Sequence, residues 1–349
     1  MKTAVVILNY NTREYLKQFL PGLIASCQGL DAEVMVADNA SADDSAEMMQ
    51  AEFPEVPLIC LEKNFGFTGG YNRALAMVEA EYYVLINSDI EVPEGWLKPL
   101  VEWMDSHPGC GACGPKLISY HNRDRFEYAG AAGGRLDRYG YPFCRGRILQ
   151  KVEKDLGQYD TPADVLWVSG ACLMVRATVW KALGGLDDRF FAHMEEIDLC
   201  WRMQLRGWKV TMVPESYVYH IGGGTLPNES PFKLRLNFRN NLLLLENNLP
   251  ATFMAEKMAD QVGHDASRHS RLDRESRRQA RRRIFMRKCL DGCSALVFLL
   301  KGKWSFFRAV LDAHREYRKL RRPGEIPPHP TLPEGLYNGW IVPKGLFGK

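Results

Sequence analysis

The stretch Tyr82-Tyr83-Val84-Leu85-Ile86-Asn87-Ser88-Asp89-Ile90 decides the fold. Its apolar run, rich in β-branched and aromatic side chains, suits a strand covered on both faces, as inside a parallel α/β sheet. The run ends in Asn87, Ser88 and Asp89, three short side chains that carry oxygen. Open α/β sheets take their ligands at the carboxyl ends of strands. The three residues therefore read either as a place for a hard cation or phosphate, or as an Asx-type turn.

Working outward, the same pattern repeats upstream. Ala4 to Leu8 is a short apolar strand that runs into Asn9, Tyr10 and Asn11. Asn11 with Glu14 has capping-box spacing for a helix through Phe19, which Pro21 ends or kinks. Glu33 to Ala37 is a second strand ending at Asp38-Asn39, and Ala40 to Ser45 opens another helix. Val56 to Leu61 is a third strand, followed by Asn64 and the glycine-bearing run Gly66, Gly69, Gly70 to Arg73 before a helix. Such glycines suit close backbone approach to a diphosphate, or simply a tight turn. Strand–helix alternation implies a mostly parallel sheet with right-handed crossovers, and the loops gather on one edge as a nucleotide-sized crevice.

Downstream, residues 116–162 read as short strands and loops. Val165 to Val175 reads as a buried strand in which Gly170 allows close approach. Glu195, Glu196 and Asp198 open a helix directly after Phe190 and Phe191. Acids there either cap the helix or, held beside aromatics, have the raised proton affinity of a general base. His220 ends another strand, and Gly222-Gly223-Gly224 is a candidate lid. Phe232 to Asn248 reads as a helix with Arg235 and Arg239 on one face.

With 349 residues, 46% hydrophobic and 25% charged, the chain has ordinary globular composition. Nine cysteines at scattered spacings fit a reducing compartment, and Cys110-Gly-Ala-Cys113 has no second pair to complete a zinc site. No run approaches the 18 apolar residues of a membrane-spanning helix, and the N-terminal apolar run is short for a secretory signal. The net charge of +3 hides an asymmetry. Residues 256–322 carry nineteen Lys and Arg against eight Asp and Glu, a surplus of eleven, which leaves the remainder at −8. The expected organisation is a domain over 1–250, a basic amphipathic helical segment over 251–322 and a Pro-rich extended tail over 323–349. Basic helices carrying Trp304 and Phe306 suit peripheral membrane contact through 268–322, or a packed helix with a solvated charged face. No recognition module supports a nucleic-acid partner.

Five motifs in order resemble the family 2 glycosyltransferases: residues 5–11, 36–43, 64–73, 86–89 and 194–202. The nearest branch is that of rhamnosyltransferase- and galactofuranosyltransferase-like enzymes of surface-polysaccharide synthesis. The resemblance covers roughly residues 3–250. It implies a GT-A fold, a dTDP- or UDP-linked sugar donor, Mg²⁺ or Mn²⁺, and inversion at the anomeric carbon. On this likeness the nucleotide sugar is bound by Asn9, Tyr10, Asp38, Asn64, Gly69, Gly70, Arg73, Asn87 and Ser88. The metal falls to Asp89 and His220, with Asn87 where the family usually has its first acid. Glu196 matches the acceptor-deprotonating base, with Glu195 or Asp198 as alternatives. The implied acceptor is a glycan or polyprenyl-diphosphate-linked glycan at the cytoplasmic face of the membrane. A nucleotidyltransferase would need a Gly- and Arg/Lys-rich triphosphate loop near the first strand, which residues 5–13 lack. A non-catalytic sugar-binding module would not need Glu196.

Overall fold

The computed structural model describes residues 1–222, 230–259 and 266–343. The candidate lid at 223–224 lies outside them. The first half alternates as read: β1 (Thr3–Asn9), α1 (Arg13–Cys27), β2 (Ala32–Asp38), α2 (Ser45–Glu52), β3 (Leu58–Cys60), α3 (Gly66–Leu75) and β4 (Tyr82–Ile86). Then come β5 (Ile90–Glu91), α4 (Leu97–Ser106), β6 (Cys110–Ser119) and the short strands β7 (Gly134–Asp137), β8 (Pro142–Cys144), β9 (Arg147–Ile148), β10 (Lys151–Val152) and β11 (Ala163–Asp164). β12 (Cys172–Arg176), α5 (Ala177–Leu183), α6 (Glu195–Gln204) and β13 (Lys209–His220) complete the sheet region. Three long helices follow, α7 (Pro231–Ala259), α8 (Ala266–Leu300) and α9 (Trp304–Leu320), and a last strand, β14 (Leu336–Tyr337).

The main sheet runs β11-β13-β6-β12-β4-β1-β2-β3. β1 pairs in parallel with both β2 and β4, and β13 with β6, while β12 runs antiparallel between β4 and β6. The period-2 alternation of strands sorts the core into two layers. Ala4, Val6, Tyr83 and Leu85 face Tyr71, Trp180 and Trp201 on one side. Val5, Ile7, Val84 and Ile86 face Leu16, Leu20 and Trp96 on the other.

Several local readings change. Asn11 does not cap α1: at φ 55 it accepts from the Ala42 amide instead, and the Arg13 amide is satisfied by Asp43 at 2.9 Å. Helix α1 continues past Pro21 to Cys27. Val165 to Val175 is not one strand, because pairing with β4 begins only at Cys172 and Trp167 bridges Gly134 in the smaller sheet.

The C-terminal third lies on the sheet domain. Helix α7 runs through Pro250, the expected domain boundary, without a break. Pro250 has no N–H for the Glu246 carbonyl, and the backbone of Gly324 lies against the carbonyls of Glu246 and Asn247. Within the basic segment, Arg287 turns inward to Asp291 at 2.7 Å, and Asp291 also meets His314 at 3.1 Å. The proline-rich tail is docked as well: β14 extends the small sheet β10-β9-β8-β7 in parallel, and the Ile341 amide reaches Asp137 at 3.0 Å. Among the described residues no helix is long and apolar enough to cross a membrane.

Candidate active site

The carboxyl ends of β1, β2 and β4 are tied together by one chain of polar side chains. Ser88 donates to Thr12 at 2.8 Å, Thr12 donates to Asn9, and Asn9 donates to Asp38 at 2.7 Å and to Ser41 at 3.0 Å. The other Asp38 oxygen accepts the Ser41 amide at 3.0 Å. Asn39, whose backbone amide donates to the Asn9 carbonyl at 2.8 Å, donates from its side chain to Asn64 at 3.0 Å. Asn9, Asp38, Asn64 and Ser88 therefore do converge on one sheet edge, and Tyr10 lies half-buried at the same strand end.

The glycine run has a different role from the expected diphosphate cradle. Gly66, Gly69 and Gly70 lie inside α3, and the Phe67 and Thr68 amides of its first turn already donate to the Phe191 carbonyl, at 2.7 and 3.2 Å. A Cβ on Gly70 would meet Leu8 at 2.7 Å, and one on Gly66 would meet the Phe191 carbonyl at 2.7 Å. These glycines let the helix approach β1 and the loop before α6. Arg73 stacks on Phe65 at 3.6 Å and donates to the Gly69 carbonyl at 3.0 Å.

Asp89 and His220 meet across the sheet, with His220 Nε2 3.2 Å from Asp89 Oδ1 and both residues 5% exposed. Asn87 stands 3.4 Å from the same ring nitrogen. On the far side of the ring, Glu127 Oε2 lies 3.5 Å from Nδ1. Burial opposes the imidazolium, but hydrogen bonds to Asp89 and Glu127 and their charges raise His220 to about 10. Burial works against the Asp89 carboxylate too, and the His220 contact holds it below its ordinary value. Two carboxylates therefore flank one imidazole in a buried, ion-paired group.

The donor set fits a hard divalent ion. Neighbouring ligands on an octahedral ion with bonds of about 2.1 Å lie about 3 Å apart, close to the Asp89–His220 separation. A carboxylate behind the second ring nitrogen is the usual support of a metal-bound histidine, and Glu127 stands there. Among the described residues no group of three acid, histidine or cysteine side chains closes around one point. Glu127 was not singled out in the sequence, because it lies far from His220 along the chain with no local pattern to mark it.

Glu195, Glu196 and Asp198 separate clearly. Asp198, 0% exposed, accepts from Arg202 at 2.6 Å and from Asn247 and Asn248 at 2.9 and 2.8 Å. Its carboxylate fixes α6 on α7 and has no face left for an acceptor. Glu195 and Glu196 each keep a buried Oε2 without a partner. Burial raises both, Glu195 well above its ordinary value with help from the Glu196 charge, and Glu196 to about 7. Glu196 lies beside Gly170. A Cβ placed on Gly170 would stand 3.5 Å from Glu196 Cβ, and the neighbouring Ala171 carbonyl takes the Asn87 amide at 2.9 Å.

The loop that aims α6 is strained. Phe191, His193 and Met194 all have positive φ, of 64, 71 and 72°. Asn240 of α7 holds it, donating to the carbonyls of Phe190, Ala192 and His193 at 2.9, 2.7 and 2.7 Å, while Arg239 also donates to Phe190 at 2.7 Å. Burial, with the nearby Lys233 charge, lowers His193 to about 4 and keeps it neutral.

Residues 4–180, just over half of the chain, match the family model for glycosyl transferase family 2. The chain belongs to that family. The match ends before Glu196 and His220. This glycosyltransferase is 25% identical over 297 residues to the N-acetylglucosaminyl-diphospho-decaprenol L-rhamnosyltransferase of Mycobacterium tuberculosis, covering 80% of this chain and 95% of the relative. It is 25% identical over 226 residues to rhamnosyltransferase WbbL of Escherichia coli, covering 62% of this chain and 82% of that one. In fold it resembles GalNAc-T7 (TM-score 0.57, 16% identity, 79% of this chain and 54% of that one). Staphylococcus aureus TarS 1–349 aligns over 98% of this chain and 99% of that one, with TM-score 0.50 and 16% identity. The GT-A reading of the sheet and its flanking helices holds. An enzyme of this family displaces the nucleotidyltransferase and binding-module alternatives.

Proposed function

We propose that the enzyme moves a rhamnose-like or galactofuranose-like sugar from a dTDP- or UDP-linked donor to a polyprenyl-diphosphate-linked glycan, with inversion, at the inner face of the cell membrane. Both relatives are rhamnosyltransferases, which supports the rhamnose-like sugar, and the mycobacterial one acts on a decaprenol-diphosphate-linked acceptor, which supports the acceptor class. The observations that support the mechanism are the buried Asp89–His220 contact and the unpartnered Glu196 carboxylate beside Gly170, whose neighbour Ala171 bonds the Asn87 amide. Asp89 and His220 would hold Mg²⁺ or Mn²⁺, which when bound supplies Lewis-acid charge against the leaving diphosphate. Glu127 positions the His220 ring. The polar chain from Ser88 to Asn64 lines the nucleotide end of the crevice. Glu196 Oε2 takes the proton of the acceptor hydroxyl as the hydroxyl oxygen bonds to the anomeric carbon. The bond from that carbon to the diphosphate breaks with its electron pair on the leaving oxygen, which requires attack from the opposite face and inverts the centre.

A transfer assay with a polyprenyl-diphosphate-linked N-acetylglucosamine acceptor tests this reading against dTDP-rhamnose and UDP-galactofuranose. Activity with one donor, lost on chelation and restored by Mn²⁺, is the expected result. Glu196→Gln lowers kcat about 100- to 10,000-fold, the usual contribution of a general base, and keeps the Mn²⁺-dependent thermal shift given by the donor. Full activity in Glu196→Gln would end the base assignment, and chelator-resistant transfer would end the metal reading.

A further inference from the structure

The first turn of α7 and the first half of α9 flank an open cavity of ≈ 450 Å³ that plays no part in the site described so far. Its walls include Phe232, Arg235, Trp304, Arg308 and Asp312. The charge balance inside favours an anion. Arg235 lies over Phe232 at 5.1 Å and shares the single carboxylate of Glu316 with Arg239, at 3.2 and 3.1 Å. Asp312 is engaged by Arg315 at 3.0 Å, while Arg308 stands exposed on the rim. Two guanidinium groups beside two aromatic rings suit a diphosphate joined to an apolar chain.

Trp304, 62% exposed, lines the cavity at the start of α9, four residues after Leu300. Leu300 ends a row of apolar side chains on α8, with Phe285, Met286, Leu296 and Val297, which are 48 to 78% exposed. These residues recur at helical spacing along the outer side of α8, a strip of roughly 20 Å at 1.5 Å per residue. Lys301 and Lys303 flank its end. In the other direction the cavity adjoins the catalytic loop, since Phe232 stacks edge-on against Phe191 at 6.3 Å, a few residues before Glu196.

We propose that this cavity binds the diphosphate of a polyprenyl-linked acceptor, whose isoprenoid chain passes over Trp304 onto the apolar face of α8 at the bilayer. The proposal rests on the lipid-linked reading of the acceptor. Arg235 and Arg308 grip the two phosphates, and the glycan beyond them points along Phe232 and Phe191 towards Glu196.

Farnesyl diphosphate serves as the probe, titrated calorimetrically into the full chain with the donor nucleotide present, beside inorganic diphosphate and farnesol. Farnesyl diphosphate binds, and each half-molecule binds roughly tenfold or more weakly, because each lacks one set of contacts. Trp304→Ala and Arg308→Glu, both at exposed positions, weaken farnesyl diphosphate by about tenfold or more. Both raise KM for the lipid-linked acceptor with kcat held within about twofold, the pattern of lost uniform binding, and both leave the donor-induced thermal shift unchanged. Inorganic diphosphate binding as tightly as farnesyl diphosphate would overturn the proposal. So would wild-type affinity and acceptor KM in both variants of an enzyme that does use a lipid-linked acceptor. Failure of the broader reading looks different: the wild type then transfers to no polyprenyl-linked acceptor and binds no farnesyl diphosphate.

Discussion

Glu196 couples stability to pH as well as proton transfer. Burial lifts its carboxyl to about 7, so the folded chain binds this proton more tightly than the unfolded chain. The resulting stabilisation is complete below the ordinary carboxylate pKa and is lost as pH rises through about 7. Transfer has the opposite dependence, since only the ionised carboxylate accepts a proton, and kcat should rise through that same pH and level off above it. Glu196→Gln keeps the shape and never ionises. Its melting temperature should match the wild type below about pH 4 and exceed it by a few degrees at pH 8, as measured by scanning calorimetry. A difference independent of pH would refute the raised carboxyl. The residues that carry charge in this scheme, Asp89, His220 and Glu196, were legible because each sits at the end of a strand or start of a helix with a recognisable neighbourhood. Glu127 and Asn240 were not, since each acts on a residue distant in sequence, and nothing local to either announces its target.

At the level of elements, the joint between α7 and the loop before α6 decides where Glu196 points. Three non-glycine residues with positive φ need outside support to persist, because each costs of order 1–3 kcal/mol. Asn240 supplies that support through three carbonyls at once. Asn240→Ala removes the donors while leaving the acceptors buried, which should lower stability by about 1–3 kcal/mol. Because α6 then loses its aim, kcat should fall about 10- to 100-fold. The KM for the donor should not change, as the Asp89–His220 edge is held by different elements. An increase in donor KM with kcat intact would place Asn240 in the donor site instead. The same joint explains the one motif whose role changed. The glycines of α3 resemble a phosphate loop in sequence, yet the Phe191 carbonyl occupies their first-turn amides. Spacing reveals that backbones must approach closely at such glycines, but not whether the approaching group is a ligand or the protein itself.

For the whole molecule, the question is whether the basic C-terminal helices form a separate appendage or part of the folded body. The alternating strands and helices of the first half were readable because each element carries its own hydrophobic period. The packing of the basic segment was not, since a run of arginines has the same composition whether it is solvated or turned inward. Ala280, Ile284 and Tyr317 join the same apolar core as Tyr83, Leu85 and Trp201, so one core runs from the sheet into α8 and α9. Arg287 and Asp291 seal that contact, with side chains 5% and 0% exposed. Arg287 also donates to the Tyr139 carbonyl at 3.0 Å, and Asp291 also holds His314. Asp291→Ala leaves the guanidinium buried without its counter-charge, a change that typically costs about 3–5 kcal/mol. If the core is continuous, calorimetry should show one unfolding transition that moves down intact, and thermal loss of transferase activity should follow it. A transition that splits, with the activity-bearing part at its original temperature, would mean that α8 and α9 fold apart from the catalytic sheet.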